Sequence, residues 1–364
     1  MGYAERKILF DAIAQKRQRP LITYVTSIRP GMSSQMAGDA IRPIIDQLNL
    51  IPAEEKNIDF LIISNGGDPI TSLRIIGLLR ERFDKVTVLL PYVAYSAATI
   101  LSLGADEIVM HPYSNLGPID PQLTAPHLTP SGTTEKLQFS TEDIANYIEF
   151  LKTDVKASKE QMMAAIQPLL EQVGALNIGS SKRSQRLSFS MSEKMLAFHI
   201  TKKKKIKEIA KALNSSYYHH GYAVGRFEAR KMGLPVTFPD KDLEDLMWSV
   251  WLDYETEMKC NDGFNILNEV LSDPNASTAI NSVPVINVPA NLPDAQKQNI
   301  YNTIARTVNV TQQQTLNVRC MLASIESPNF AKVFYNELII AYWRDINLNL
   351  QFNVTAKGTG WINY

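Results

Sequence analysis

The segment Pro91-Tyr92-Val93-Ala94-Tyr95-Ser96-Ala97-Ala98-Thr99-Ile100-Leu101-Ser102-Leu103-Gly104-Ala105-Asp106 sets one hydroxyl, Ser96, among uncharged and mostly small neighbours. Upstream, Ile62-Ile63-Ser64-Asn65-Gly66-Gly67-Asp68-Pro69 runs from a strand-like stretch into a double glycine. A serine hydroxyl attacks a carbonyl only when a base takes its proton and fixed donors meet the oxyanion that develops. Glycine leaves its backbone N–H open to a ligand, so Gly66 or Gly67 can supply one donor. The N–H of Ala97, just after the serine at a helix start, can supply the other, where the helix-end field favours negative charge. Ala97 and Ala98 keep the approach open. The pattern is that of a nucleophile on a strand-to-helix turn, without the G-x-S-x-G string. The plainer alternatives are a small serine packed in a buried helix and a glycine turn with no chemistry.

Few other residues offer chemistry. Cys260 and Cys320 are the only cysteines and form no CxxC pair, so no disulfide framework, redox motif, metal site or cofactor is expected, and a reducing, cytoplasmic compartment fits. His219-His220 would point to opposite faces of a strand, which favours a polar loop role over a metal pair. Tyr217-Tyr218, and Trp248 with Trp251, have the spacing of packing residues. Asp120 either holds a loop near the site or caps a turn. Basic and acidic residues balance at 37 each, so charge gives no argument for nucleic acid or an anionic membrane. The run Lys202-Lys203-Lys204-Lys205 reads as a solvated helix face. The start, Met1-Gly2-Tyr3-Ala4-Glu5-Arg6, lacks the apolar run of a signal peptide, and Arg6 stands where a myristoylation signal has Ser or Thr. Val86 to Ala105 carries no charge over about the length of a membrane span, but Pro91 interrupts it. Its β-branched first part and small-residue second part read as a buried strand followed by a buried helix.

The elements that must position Ser96 and the glycines alternate as in a parallel α/β fold. Strands are expected at 21–28, 58–63, 86–90 and 107–110. Helices are expected at 37–50, 70–83 and 96–103, the first from the helical spacing of Ala40, Ile41, Ile44, Ile45 and Leu48. From Ser140 the pattern turns helical, and Ser140-Thr141-Glu142-Asp143 resembles a capping box. A helix over 223–235 is stopped by Gly233 and Pro235, and another amphipathic helix covers 240–257. These elements predict two domains, 1–262 and 263–364. The second is rich in Asn, Thr, Val and Gln and punctuated by prolines. It reads as an α+β appendage, with Val285-Ile286-Asn287-Val288 extended, a helix over 296–305 and a strand over 348–354.

The run from Leu21 to Gln122 resembles the Clp protease/crotonase superfamily, in its signal peptide peptidase A branch. Asn65-Gly66-Gly67 is similar to that branch's glycine turn, lacking the proline common before the glycines. Tyr95-Ser96-Ala97-Ala98 is similar to its nucleophile helix, with Ala-Ala where Gly-Gly is usual. Ala105-Asp106-Glu107-Ile108-Val109-Met110 and Leu116-Gly117-Pro118-Ile119-Asp120-Pro121-Gln122 are similar to the strand and loop that follow, the latter in the manner of the serine dehydrogenase proteinase family. His220-Gly221-Tyr222 and Glu228 to Leu234 add to the resemblance, which extends over about 20–240 and leaves the appendage outside.

The resemblance implies an α/β fold with a ββα-superhelix core, a serine peptidase acting on peptides or proteins, and a homo-oligomer. It implies Ser96 as nucleophile, Gly66, Gly67 and Ala97 around the oxyanion, and a substrate strand paired beside Gly66-Gly67. Clp proteases place a histidine in the register of Pro118 to Gln122, where this chain has none, and His111 sits at a strand end. Signal peptide peptidases use a later lysine. Lys136 and Lys152 are the candidates by order, and Lys182 is a more distant one; alignment of the helix at Ile144 puts the position near Asp143. Two other readings remain at this point: an inactive oligomeric scaffold that binds peptides, and an acyl-CoA enzyme of the crotonase branch, which uses carboxylates rather than serine.

Overall fold

The structure is a computed structural model and describes residues 2–128, 132–215, 221–281, 288–307, 312–345 and 349–364. Near-continuous apolar runs build its centre. Strands β1 (Leu21–Thr26), β2 (Asn57–Ile63) and β3 (Lys85–Leu90) run parallel beside β5 (Glu107–Met110) and the short β10 (Val236–Thr237). Helices α1 (Tyr3–Arg17), α2 (Ile41–Leu48, after a 3-10 turn at Gly38–Ala40), α3 (Pro69–Arg82) and α4 (Ala97–Leu103) pack around it. Because side chains alternate along a strand, Ile22, Tyr24, Phe60, Ile62, Val86 and Val88 face the α2, α3 and α4 side. Leu21, Val25, Leu61, Ile63 and Leu89 face α1 and α10 (Lys241–Glu257). Both faces are covered, as the α/β expectation requires.

A small second sheet, β4 (Val93–Ala94), β6 (Asn115–Leu116) and β9 (Val224–Gly225), stands beside the ends of these strands. A hairpin of β7 (Gln122–Leu128) and β8 (Thr134–Ser140) leads into a helical arm, α5 (Thr141–Thr153), α6 (Lys159–Val173) and α7 (Ala175–Leu196). Helices α8 (Lys203–Ser215) and α9 (Arg226–Met232) return to the core, and Gly233 closes α9 in the left-handed conformation at φ 102°. The expected capping box at Ser140 is formed, and Lys202, Lys203 and Lys204 are exposed on the α8 end. The uncharged stretch 86–105 resolves into β3, β4 and α4, and among the described residues no helix is long and apolar enough to cross a membrane.

Residues 263–364 contain helices α11 (Ile266–Ser272), α12 (Pro274–Asn281) and α13 (Asp294–Thr307) and three long strands, β11 (Gln314–Glu326), β12 (Ala331–Arg344) and β13 (Leu350–Asn363). The strands continue the core sheet: β11 pairs antiparallel with β1, so the eight strands lie in the order β10-β5-β3-β2-β1-β11-β12-β13. The expected extension at 285–287 and the pairs Tyr217-Tyr218 and His219-His220 lie outside the described residues.

Helix α1 has no counterpart in the sequence reading, and its buried stripe shows why. Arg6, Phe10 and Ile13 line it, so a charge interrupts the apolar period. The Arg6 guanidinium grips Glu326 of β11 through two bonds of 2.9 and 2.8 Å, and reaches Asp253 of α10 at 2.6 Å and Glu257. Tyr254 donates to Glu326 at 3.0 Å. Removing one member of such a buried ion cluster leaves an uncompensated charge, at a cost of about 3–5 kcal/mol. The N-terminal helix, α10 and the added strands are thereby tied into one packing unit.

Candidate active site

The chain enters the site along β4. Ser64 N–H donates to Val93 O at 3.0 Å and Tyr95 N–H to Ser64 O at 2.9 Å, which clamps the end of β2 against the segment before the serine. Ser96 then turns sharply, at φ 51° and ψ −114°, and α4 begins at Ala97. A non-glycine residue held in this region stores about 1–3 kcal/mol of strain. Ala98 N–H returns to Tyr95 O at 2.9 Å and Ile100 N–H to Ser96 O at 3.1 Å, so the helix closes immediately behind the turn. Thr99 Oγ1 lies 2.7 Å from Ala94 O and 2.8 Å from Gly117 O, joining the turn to the loop after β6.

The two glycines have different duties. Gly66 packs against the turn: a Cβ there would stand 2.5 Å from Tyr95 O and 2.8 Å from Ser96 Cβ, with φ at +100°. Its N–H is turned inward and donates to Ser64 Oγ at 3.0 Å. Gly67, at φ +144°, lies against Met36, whose N–H donates to Gly66 O at 2.7 Å and whose carbonyl accepts from Asp68 N–H at 2.9 Å. In that parallel bridge the N–H of Gly67 itself points away from Met36. Among the described residues neither it nor the N–H of Ala97 has a partner, and Ser96 Oγ makes no hydrogen bond. The N–H groups beside Ser96 that no other group claims are therefore those of Gly67 and Ala97, whereas Gly66 shapes the turn. The backbone edge expected to receive a substrate strand is taken on one side by Met36, which leaves the opposite side, at Gly67.

Ser96 and Gly67 open into a pocket of about 360 Å³ walled by Asp68 and Pro69 at the start of α3, by Asp120, Pro121 and Gln122, and by Ser184 and Ser188 of α7. Asp68 caps α3, accepting from Ile70 N–H at 3.0 Å, Thr71 N–H at 3.1 Å and Thr71 Oγ1 at 2.8 Å. Asp120 Oδ2 accepts from Gln122 Nε2 at 2.9 Å. Burial, reinforced by the charge of Glu142, pushes the Asp120 carboxyl up to about 6.

The lysines lie elsewhere. Lys152 and Lys182 line a separate groove of about 470 Å³ between α5 and α7, floored by Ile144, Ile148 and Ile178. Lys136 is exposed on β8, opposite Pro126. Asp143, where alignment puts the lysine, completes the capping box with Ser140 at 2.7 and 3.0 Å. Helix geometry explains the separation: Glu142 and Asp143 start α5 next to Asp120, and at 1.5 Å per residue Lys152 stands about 15 Å further along. His111 is buried and stacks on Trp248 with centroids 5.2 Å apart, and burial lowers its pKa. Trp251 stacks on Tyr92 at 4.6 Å, as packing residues do. Cys260 and Cys320 are buried free thiols, and among the described residues no group of three ligands could hold a metal.

Sequence reasoning left Asp120 between loop anchor and turn cap and did not single out Ser184 or Ser188. The serines carry no local signal, because they reach the pocket only through the packing of α7.

Residues 38–175, which include Gly67, Ser96 and Asp120, match the family model of the ClpP-like SDH-type serine proteinases. Two uncharacterized proteins of Methanocaldococcus jannaschii are each 26% identical to the chain, over 193 and 187 residues, or 53% and 50% of it. The alignments take in 56% and 54% of those proteins, so the chain spans about half the length of the curated relatives it matches. Among solved structures, a mutant of 1510-N, a membrane-bound stomatin-specific protease, is 12% identical with a TM-score of 0.36, covering 62% of this chain and 82% of that one. ClpP1 from Listeria monocytogenes is also 12% identical, with a TM-score of 0.32, covering 61% of this chain and 94% of that one.

Proposed function

We propose that this chain, a member over residues 38–175 of the ClpP-like SDH-type serine proteinases, cleaves peptide bonds with Ser96 as the nucleophile. The observation that carries the reading is the strained backbone of Ser96, on a strand-to-helix turn beside two N–H groups with no partner among the described residues. Strain of this kind persists only where the surroundings over-determine it, and here Gly66, β4 and α4 all do. Ser96 Oγ attacks the peptide carbonyl, its proton leaves to a base, and the carbonyl oxygen becomes an oxyanion received by Gly67 and Ala97 N–H. Collapse expels the amine, which takes the proton, and leaves an acyl-serine. Water then hydrolyses the ester by the same steps in reverse order.

The substrate is an extended peptide or protein segment, consistent with a pocket open beside Gly67. A homo-oligomer fits the helical arm, where Phe150, Val155, Met163 and Leu176 are exposed. Light scattering of the purified chain tests the association.

A fluorophosphonate probe tests the nucleophile. Labelling of the native chain that disappears in Ser96→Ala is the expected result. The lack of a lysine among the described pocket residues favours a second reading, a peptide-binding scaffold without activity, and an unlabelled native protein would support it.

A further inference from the structure

We propose that the carboxylate of Asp120, rather than an amine, is the general base for Ser96; the inference rests on the peptidase reading of the same pocket. Its first support is placement. Asp120 and Ser96 wall one cavity, and the loop that carries Asp120 is fastened to the turn that carries Ser96. Gly117 N–H donates to Ala94 O at 2.9 Å, Thr99 Oγ1 reaches Gly117 O, and Gly117 lies so close to the Tyr95 ring that a Cβ would collide with it. Two residues on, Ile119 N–H donates to Leu213 O of α8 at 2.8 Å. Pro118 and Pro121 flank the aspartate and restrict its backbone.

The second support is the chemistry of the wall. Among the described residues lining the pocket the ionisable side chains are Asp68 and Asp120. The carboxylate of Asp68 is committed to capping α3, where it accepts three hydrogen bonds from Ile70 and Thr71. Asp120 is partly buried, and Glu142 and Asp143 at the start of α5 face it with like charge, while Lys182 of α7 acts on Glu142. The side chains of Ser140 and Gln122 offset part of this. A carboxyl that titrates near 6 is ionised at neutral pH yet basic enough to share a proton with an alcohol.

The proton balance closes without a co-reactant. Ser96 Oγ–H gives its proton to Asp120 as the C–O bond forms and the carbonyl π pair moves to oxygen. Asp120, now a neutral acid, protonates the leaving amine as the C–N bond breaks. In deacylation Asp120 takes a proton from water and returns it to Ser96 Oγ.

The test is the rate at which a fluorophosphonate modifies Ser96, followed from about pH 5 to about pH 9 in native, Asp120→Asn and Asp120→Glu proteins. In the native chain the rate should rise through a midpoint near pH 6 and then level. Asp120→Asn should be slower by about 10²-fold or more and lose that limb, and Asp120→Glu should keep a limb and recover part of the rate. Labelling of Asp120→Asn within about threefold of native, with the limb intact, overturns the base and leaves the peptidase reading standing. Should the asparagine protein fail to fold, loss of the limb in a folded glutamate protein overturns it instead. A native chain unlabelled across the whole range overturns both.

Discussion

Two cavities share helix α7 and differ in almost everything else. The one at Ser96 is walled by carboxylates, hydroxyls and backbone N–H groups, on elements bound to the sheet. The other, between α5 and α7, has an isoleucine floor and two lysines at its rim, and belongs to the arm. Read along the chain, a serine followed by lysines suggests a dyad. In space, α7 turns Ser184 and Ser188 toward one cavity and Ser181, Lys182 and Gln185 toward the other. Order along a sequence is thus a weak guide to a catalytic pair when a helix of three or four turns lies between its members, because each turn carries a side chain about 5.4 Å along the axis and each residue swings it about 100° around it.

The sharpest way to break this comparison is at the serine. Ser96→Ala should lower any peptidase rate by at least about 10⁴-fold with the fold intact; if steady-state cleavage continues, the cavity has been misjudged. Ser96→Gly should be equally inactive but more stable than Ser96→Ala by about 1 kcal/mol, since glycine adopts φ 51° at little cost. Denaturant unfolding of the two variants checks the strain.

Next in size, Gly67→Ala should cost about 3 kcal/mol, because its Cβ would collide with Met36 backbone atoms at a φ that side chains rarely adopt. A variant that melts like the native chain would show that the turn at Gly67 has room for a side chain.

A smaller effect separates Asp120 from an ordinary surface carboxylate. Its pKa is near 3.9 when unfolded and about 6 when folded. The folded state therefore disfavours the charge, and the penalty grows as pH rises from about 4 to about 6 and then stays constant. Asp120→Asn should raise Tm at pH 8 and leave it unchanged near pH 4. An equal change at both pH values would show that no burial penalty exists at this carboxylate.

The smallest expected effect belongs to the second cavity. Lys152→Ala and Lys136→Ala should each label at Ser96 within about twofold of native. A large loss in either would mean that a lysine reaches the serine after all, as it would if supplied by a second copy of the chain.

The features legible in the sequence are those with a local cause. The parallel core shows in apolar runs at 58–63 and 86–90, which need helices on both faces. The capping box at Ser140 and the glycine stop at Gly233 need only neighbours. Helix α1 was hidden because its buried stripe contains Arg6, whose charge is neutralised by residues distant in the chain. Strands β11 and β12 were missed, although Leu316, Val318 and Cys320 alternate with the exposed Thr315, Asn317 and Arg319. Their place beside β1 depends on backbone pairing between segments distant in the chain, which a local period does not announce.

By itself the amino-acid sequence determined the candidate serine and its setting: Ser96 between small residues at a helix start, opposite a pair of glycines. These are matters of backbone freedom and side-chain size, carried by a few adjacent residues. Only the tertiary structure decided which glycine keeps its N–H unclaimed, because Ser64 takes one and Met36 orients the other. It also decided which ionisable groups share the cavity of Ser96. Burial and like charge act through space, so the Asp120 carboxyl is pushed up by the walls of the pocket and by Glu142, and Lys152 is carried off along α5.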